Sequence, residues 1–176
     1  MRTIDAGRSE RPVRRALKSA SPAIAPDQLP ARQKGKPMSG NPSAPWTGMV
    51  PVDDTALAVT DAGGPGRPVV YLNGSYADQS HWRPVIAELG DGYRHITFDE
   101  RARGKSGRSK DYSFASCVRD VDAVLEARGA ERPILVGWSA GAAVAVYWAD
   151  RNPGCAGVVA VDGGVPFGIT GEEARE

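Results

Sequence analysis

The residue of this sequence best suited to covalent chemistry is Ser139, at the centre of Gly137-Trp138-Ser139-Ala140-Gly141. Two glycines spaced around a serine in this way are typical of a sharp turn that joins a strand to a helix. Such a turn imposes strained backbone angles on the serine and raises its Oγ above the end of the sheet, at the positive N-terminus of the helix. A hydroxyl held there is placed to act as a nucleophile, so the motif predicts that role for Ser139.

The segments on either side of the motif supply the strand and the helix. Residues 134–136 form a short apolar run after Pro133, which predicts a buried strand. From Ala140 the residues are mostly small or apolar, with no helix breaker before Asn152-Pro153-Gly154, which predicts a helix. Because this context is present, Ser139 is a much stronger candidate than the five-residue pattern alone would make it.

Apolar runs and turn residues predict further elements along the chain. Helices are predicted around 82–89, ending at Gly90, and from an N-cap at Ser113 to Gly129. Strands that alternate with helices predict an α/β fold, a mostly parallel doubly wound sheet with helices on both faces. The predicted strands besides the one before Ser139 are 49–52, 55–60, 68–72, 95–98 and 157–161.

Three motifs in this order resemble the α/β-hydrolase family. Asn73-Gly74-Ser75 follows a buried strand and resembles the family's H-G-x motif, with Asn in place of His. The segment 98–106 resembles D-x-R-G-x-G-x-S, with Ala102 for the first glycine. The third motif is the turn at Ser139, and together the three cover roughly residues 48–168.

The resemblance implies a serine hydrolase that acts on a carboxylic ester, lactone or thioester of a small molecule. Backbone N–H groups of Ala140 and Ser75, the latter just after Gly74, would stabilise the tetrahedral oxyanion. Trp138 would neighbour the substrate, although a packing role is equally expected. Asp99 and Arg101 are expected to lock the loop after their strand.

The sequence departs from the family at the catalytic base. The family order is serine, acid, histidine, and no histidine follows Ser139 in this sequence. The chain's two histidines, His81 and His95, are both expected to be structural. Asp162 follows the last predicted strand, where some members place their acid, but a loop-shaping role is expected here. The final residues, 171–176, resemble the opening of a helix.

Two interpretations follow. In the first, the sequence is the N-terminal part of a hydrolase, an incomplete core that lacks the catalytic histidine, the lid and the last strands, and is weakly active or inactive. In the second, the chain is a non-catalytic remnant or a small-molecule binding module. A serine at position 139 argues against haloalkane dehalogenase or epoxide hydrolase chemistry, which resembles this fold but uses a carboxylate nucleophile.

Composition divides the chain into two parts. Residues 1–47 hold nine Lys or Arg against three Asp or Glu, and seven of the 14 prolines. This segment is predicted to be a disordered basic extension. Its Arg-rich composition resembles a transit peptide, but its three acidic residues weaken that interpretation, and a misread extension with the true start at Met38 or Met49 is favoured over it. Residues 48–176 form the predicted hydrolase core, with 13 basic and 18 acidic groups.

The core's composition argues against several classes of partner. Its mild acidity gives no basic patch for nucleic acid, and the uncharged run around Ser139 is interrupted by the turn, so no membrane span is expected. Gly104-Lys105-Ser106 imitates a phosphate-binding loop, but Asp99 stands where that loop needs glycine. No metal or other cofactor is expected. Cys117 and Cys155 are predicted to be reduced thiols in a cytoplasmic protein, and an unpaired sheet edge offers a route to self-association.

Overall fold

The computed structural model describes residues 44–163, which contain six strands and three α-helices. The predictions for 1–43 and for the helix opening at 171–176 lie outside the described residues. The strands are β1 Trp46–Val52, β2 Thr55–Asp61, β3 Arg67–Leu72, β4 Tyr93–Phe98, β5 Ile134–Trp138 and β6 Gly157–Val161. The helices are α1 Arg83–Leu89, α2 Phe114–Ala127 and α3 Ala140–Arg151.

The strand order is β1-β2-β4-β3-β5-β6. β1 and β2 form an antiparallel hairpin, and β2 also pairs antiparallel with β4. The remaining four strands are parallel to one another, with a helix in each connection between them. The sheet is therefore mostly parallel, as predicted, and its antiparallel part is the hairpin at one edge.

The connections leave β3 and β5 in opposite directions across the sheet. From β3 the chain crosses to β4 on one side, and from β5 it crosses to β6 on the other. The crevice at the carboxyl ends of two such neighbouring strands is where ligands bind in open α/β sheets. The predicted motif residues Asn73-Gly74-Ser75 follow β3 and Ser139 follows β5, so both lie at this crevice.

Apolar side chains cover both faces of the sheet because alternate residues of a strand point to opposite sides. On β3, Val70 and Leu72 join the core beneath α2 and α3. Val69 and Tyr71 point the other way and pack against Trp82. Helices on both faces are thus confirmed.

Several element boundaries differ from those predicted. β1 begins at Trp46, two residues before the expected start of the core, and β4 begins at Tyr93 rather than at His95. The helix expected around 82–89 consists of a 3₁₀ turn, Gln79–Trp82, followed by α1. No helix among residues 44–163 is long and apolar enough to cross a membrane.

Candidate active site

The turn between β5 and α3 holds Ser139 in a conformation that side-chain-bearing residues rarely adopt, with φ 53° and ψ −115°. Its N–H donates to the carbonyl of Val161 at 2.9 Å, and its carbonyl accepts from the N–H of Ala142 at 3.0 Å. These two bonds fix the backbone on both sides of the serine. The residue itself is exposed.

The two glycines of the motif are required by close backbone approach. A Cβ added to Gly141 would lie 2.5 Å from the carbonyl oxygen of Leu72, at the end of β3. One added to Gly137 would lie 2.6 Å from the backbone nitrogen of Ala142. The turn can therefore pack against the end of β3 only because Gly141 lacks a side chain, and the start of α3 can pack against β5 only because Gly137 lacks one.

The loop after β3 lies directly against Ser139. A Cβ on Gly74 would lie 3.0 Å from the ring of Trp138 and 3.4 Å from the Cβ of Ser139. The structure thus brings together three of the predicted site residues, and Ser75 and Ala140 are their immediate neighbours in the chain. Within residues 44–163, the structure shows no hydrogen-bond acceptor for the N–H of Ser75 or of Ala140.

The loop after β4 is held by Asp99, as predicted. One carboxylate oxygen accepts from the N–H of Gln79 and the other from the N–H of Lys105, both at 2.8 Å. The carbonyl of Asp99 also accepts from the hydroxyl of Ser106 at 2.6 Å. Asp99 therefore ties its loop to the segment before α1.

Arg101 locks the other end of this loop, through partners that the sequence does not indicate. Its guanidinium donates to both carboxylate oxygens of Asp120 on α2, and to the carboxylate of Asp53 at 3.1 Å. It also donates to the carbonyl of Asp111 at 2.9 Å. The predicted structural role of Asp99 and Arg101 is confirmed, although they do not pair with each other.

The two histidines occupy different environments. His95 is buried, and its ring nitrogens lie 2.8 Å from the hydroxyl of Tyr71 and 2.9 Å from the carbonyl of Gly90, so its predicted structural role is confirmed. His81 is exposed and completes a capping box with Asp78 at the start of the 3₁₀ turn. Its ring also lies beside that of Trp138, with centroids 6.1 Å apart.

Asp162 lies close to Ser139, although no contact between their side chains is seen. It is exposed and has a left-handed backbone with φ 45°. A Cβ on the next residue, Gly163, would lie 2.7 Å from the carbonyl oxygen of Ser139. The end of β6 therefore borders the turn.

Glu100 is a site residue that the sequence analysis missed. One of its carboxylate oxygens accepts from the backbone N–H of Asn73 and the other from its side-chain amide, each at 2.7 Å. Burial raises the pKa of Glu100 to about 7; the hydrogen bonds from Asn73 oppose that rise, and the charge of Asp99 adds to it. The only signal in the sequence is its position inside the motif that contains Asp99 and Arg101.

Metal ligands are not clustered in the part of the chain that the structure describes. Residues 44–163 contain no group of three or more His, Cys, Asp or Glu side chains that could hold a metal ion.

Comparison with known proteins places this geometry in a family. A family model described as alpha/beta hydrolase fold matches residues 67–173. A haloalkane dehalogenase from Mesorhizobium japonicum is 31% identical over 121 residues, covering 68% of this chain and 39% of that protein. Epoxide hydrolase B from Mycobacterium tuberculosis is 40% identical over 107 residues, covering 58% of this chain and 30% of that protein.

A solved structure from Burkholderia cenocepacia, provisionally named an aryl esterase, is 33% identical with a TM-score of 0.59. The match covers 69% of this chain and 47% of that protein. The chain thus spans less than half the length of each of these relatives. Because the family model matches more than half of the chain and the sheet, the turn and the neighbouring loop all agree with it, the chain belongs to the α/β-hydrolase fold family.

Proposed function

We propose that Ser139 is the nucleophile of a serine hydrolase that transfers the acyl group of a small-molecule carboxylic ester, lactone or thioester. The observation that carries the proposal is the backbone of Ser139, a left-handed conformation held at the crevice between β3 and β5. Strain of this kind costs about 1–3 kcal/mol and persists at functional sites where the surrounding structure fixes it. Gly74 packs against Trp138 and Ser139, and Ser139 itself is exposed, so a substrate that reaches the serine would lie beside both neighbours.

In this proposal, the Oγ of Ser139 attacks the carbonyl carbon and the carbonyl π electrons move onto oxygen. The N–H groups of Ser75 and Ala140 donate hydrogen bonds to that oxygen and stabilise its negative charge. The absence of an acceptor for either group within residues 44–163 supports the assignment. Loss of one such donor costs about 2.7–4 kcal/mol in the barrier.

The attack requires a base for the Ser139 proton, and neither histidine is suited to that task. His95 is buried with both ring nitrogens engaged, and the hydrogen bonds seen for His81 among the described residues run to Asp78 and not to Ser139. Without a base, a serine triad retains only ~10³–10⁴-fold catalysis over water, from the oxyanion donors and binding. We therefore expect the 176-residue chain to be a slow catalyst.

Labelling with a fluorophosphonate tests the proposal. The chain should label slowly at Ser139, free imidazole should accelerate labelling by supplying the absent base, and Ser139→Ala should abolish it. Ser80→Ala, at another exposed serine, is the matched control and should label as the parent does. Failure to label at Ser139 even with imidazole would favour the alternative, a non-catalytic binding module.

The relatives' names suggest haloalkanes and epoxides as alternative substrates, and the chemistry of serine disfavours both. An alkoxide that displaces a halide or opens an epoxide forms an ether, which has no carbonyl for water to attack. The enzyme would then be alkylated once and would not turn over. Steady release of halide or diol that depends on Ser139 would contradict the proposed acyl transfer.

The remaining proposals concern surroundings and self-association. The free, half-buried thiols of Cys117 and Cys155 support a reducing, cytoplasmic location.

Among the described residues β6 pairs only with β5, and Val159 and Val161 are 49% and 41% exposed. We propose that two copies of the chain associate through this edge. Val159→Lys should weaken that association, so the variant should sediment with a lower coefficient than the wild-type protein.

A further inference from the structure

Asn73, the residue just before the loop glycine Gly74, has every polar group of its side chain hydrogen-bonded. Its amide nitrogen donates to the carbonyl of Phe98 at 2.8 Å and to Glu100 at 2.7 Å. Its amide oxygen accepts from the indole N–H of Trp82 at 2.7 Å. Since Asn73 is only 3% exposed, these partners replace water completely and hold the side chain in one orientation.

Glu100 supplies the acceptor for the backbone as well as for the side chain of Asn73. The two bonds run to different carboxylate oxygens, so the carboxylate spans both donors of one residue. Charge-assisted bonds of this type are about twice as strong as bonds between neutral groups. Of the four hydrogen bonds made by Asn73, the two to Glu100 are the ones that depend on an ionisable acceptor.

This pair lies one residue from the loop that contacts Ser139. The carbonyl oxygen of Asn73 would lie 2.7 Å from a Cβ on Gly141, and the next residue, Gly74, packs against Trp138 and Ser139. A rotation of the Asn73 backbone would therefore move the N–H of Ser75 relative to the serine. Oxyanion donors must be held close to their working position, so what fixes Asn73 also fixes the donor.

We propose that Glu100, in its charged form, is a positioning residue for the oxyanion loop, holding Asn73 so that the N–H of Ser75 faces the carbonyl attacked by Ser139. The proposal rests on the proposed function for its catalytic consequence, but the Glu100–Asn73 clamp itself is a property of the fold. It also accounts for Asn at this position, because histidine could not supply the same two-proton amide donor.

The clamp is sensitive to protonation because a neutral carboxyl has an O–H that would face two N–H donors. Burial raises the pKa of Glu100 to about 7, so the group changes charge near neutral pH. The other titratable groups that act on it are Asp99 beside it in the chain and the thiol of Cys117 on α2. The guanidinium of neighbouring Arg101 is directed to Asp120 and Asp53, and the partners of Glu100 from the β3 loop are neutral.

The sign of the effect follows from this pKa. A carboxyl whose folded-state pKa lies above its ordinary value favours the folded state when protonated, and that contribution is lost as pH rises through about 7. The charged form that tightens the loop is thus the less stable form of the fold.

The first test is NMR on the full 176-residue chain labelled with carboxyl-¹³C glutamate and with ¹⁵N. We expect the Glu100 carbon, assigned by its absence in Glu100→Gln, to titrate near neutral pH. The amide of Asn73 and the indole N–H of Trp82 should shift with the same midpoint, and Glu100→Gln should remove that shift. Glu88→Gln, at an exposed glutamate of α1, should leave it unchanged. An Asn73 amide whose shift does not follow the charge of Glu100 would overturn the proposal, at whatever pH that carboxyl titrates.

The second test measures the rate of fluorophosphonate labelling of Ser139 across the same pH range. The rate should rise as Glu100 ionises, and Glu100→Gln should lower the high-pH rate about tenfold, less than the 10²–10³ that loss of a donor itself costs. Glu100→Asp keeps the charge but is one methylene shorter, so it should show an intermediate rate and a retained pH dependence. A chain that never labels at Ser139 would refute the proposed function, whereas the NMR titration would still decide the clamp.

Discussion

Arg101→Ala should destabilise the fold severely, because Arg101 neutralises a carboxylate with no access to water. The side chain of Arg101 is 2% exposed and that of its partner Asp120 is 0% exposed. Removing one member of a buried ion pair leaves the other charge uncompensated, which costs about 3–5 kcal/mol. That loss is comparable to the whole stability of a marginal domain, about 5–15 kcal/mol.

Urea unfolding followed by tryptophan fluorescence measures this loss. Arg119→Ala is the matched control, because Arg119 also pairs with Asp53 but is 24% exposed, and we expect it to cost only about 0.2–1 kcal/mol. Replacing both partners, with Arg101→Met and Asp120→Leu, should recover at least half of the deficit because no charge is then left buried.

The pH dependence provides an independent check. Burial already raises the pKa of Asp120 despite the opposing bonds from Arg101, and removing Arg101 should raise it further. The variant should therefore regain stability as pH falls through that pKa and Asp120 takes up a proton. A deficit below about 1 kcal/mol, or one that does not shrink at lower pH, would refute the view that an unpaired buried charge causes the loss.

Three further substitutions test other parts of the structure. Gly141→Ala should destabilise the chain by about 1–3 kcal/mol, because the added Cβ would lie 2.5 Å from the carbonyl oxygen of Leu72. Gly154→Ala is the control, since its Cβ would have nothing within 4 Å, and urea unfolding should show no loss of stability for it. Burial raises the pKa of Asp61, but the hydrogen bonds from Arg94 and Arg128 outweigh burial and hold that pKa below its ordinary value. The stabilisation from Asp61 is therefore present above the ordinary pKa of an aspartate and is lost as pH falls through the lowered one. Asp61→Asn should remove it, so the acid limb of the variant's stability curve should be flatter than the parent's. Ser139→Gly should raise the melting temperature while abolishing labelling, since glycine adopts φ 53° without strain; an unchanged or lower melting temperature would show that the turn is not strained.

The sequence predicts the alternation of strands and helices because each element carries its own local pattern. β3 and β5 are short apolar runs that end at turn residues, and Ser113 caps α2 by accepting from the N–H of Ser116, as expected. The boundaries are less predictable. Trp46 joins β1 through pairing with Asp61, a contact that only the folded hairpin creates.

Contacts between residues far apart in the chain are what sequence patterns leave out. Asp61 accepts hydrogen bonds from Arg94 at 2.6 Å and Arg128 at 2.8 Å, and nothing in the spacing of these residues indicates that they meet. The clamp between Glu100 and Asn73 is hidden for the same reason. A motif fixes which loop a residue belongs to, whereas its hydrogen-bond partner depends on how strands are ordered in the sheet.

The backbone strain of the described residues is concentrated at one edge of the sheet. Six residues other than glycine have positive φ. Two of them, Asp53 and Arg132, lie in turns elsewhere. The other four follow β3, β4, β5 and β6 in turn, and these are Tyr76, Ala102, Ser139 and Asp162.

Each of these four conformations is disfavoured locally, so the fold must hold it by contacts around the loop. A random scatter of strain would not follow the carboxyl ends of four successive parallel strands, where α/β sheets bind ligands. The same edge holds the N–H groups of Ser75 and Ala140 that have no acceptor within residues 44–163. Backbone strain is a cost that folding alone would remove, and its coincidence at Ser139 with exposed N–H groups that can donate to a ligand supports the proposal of chemistry at this edge.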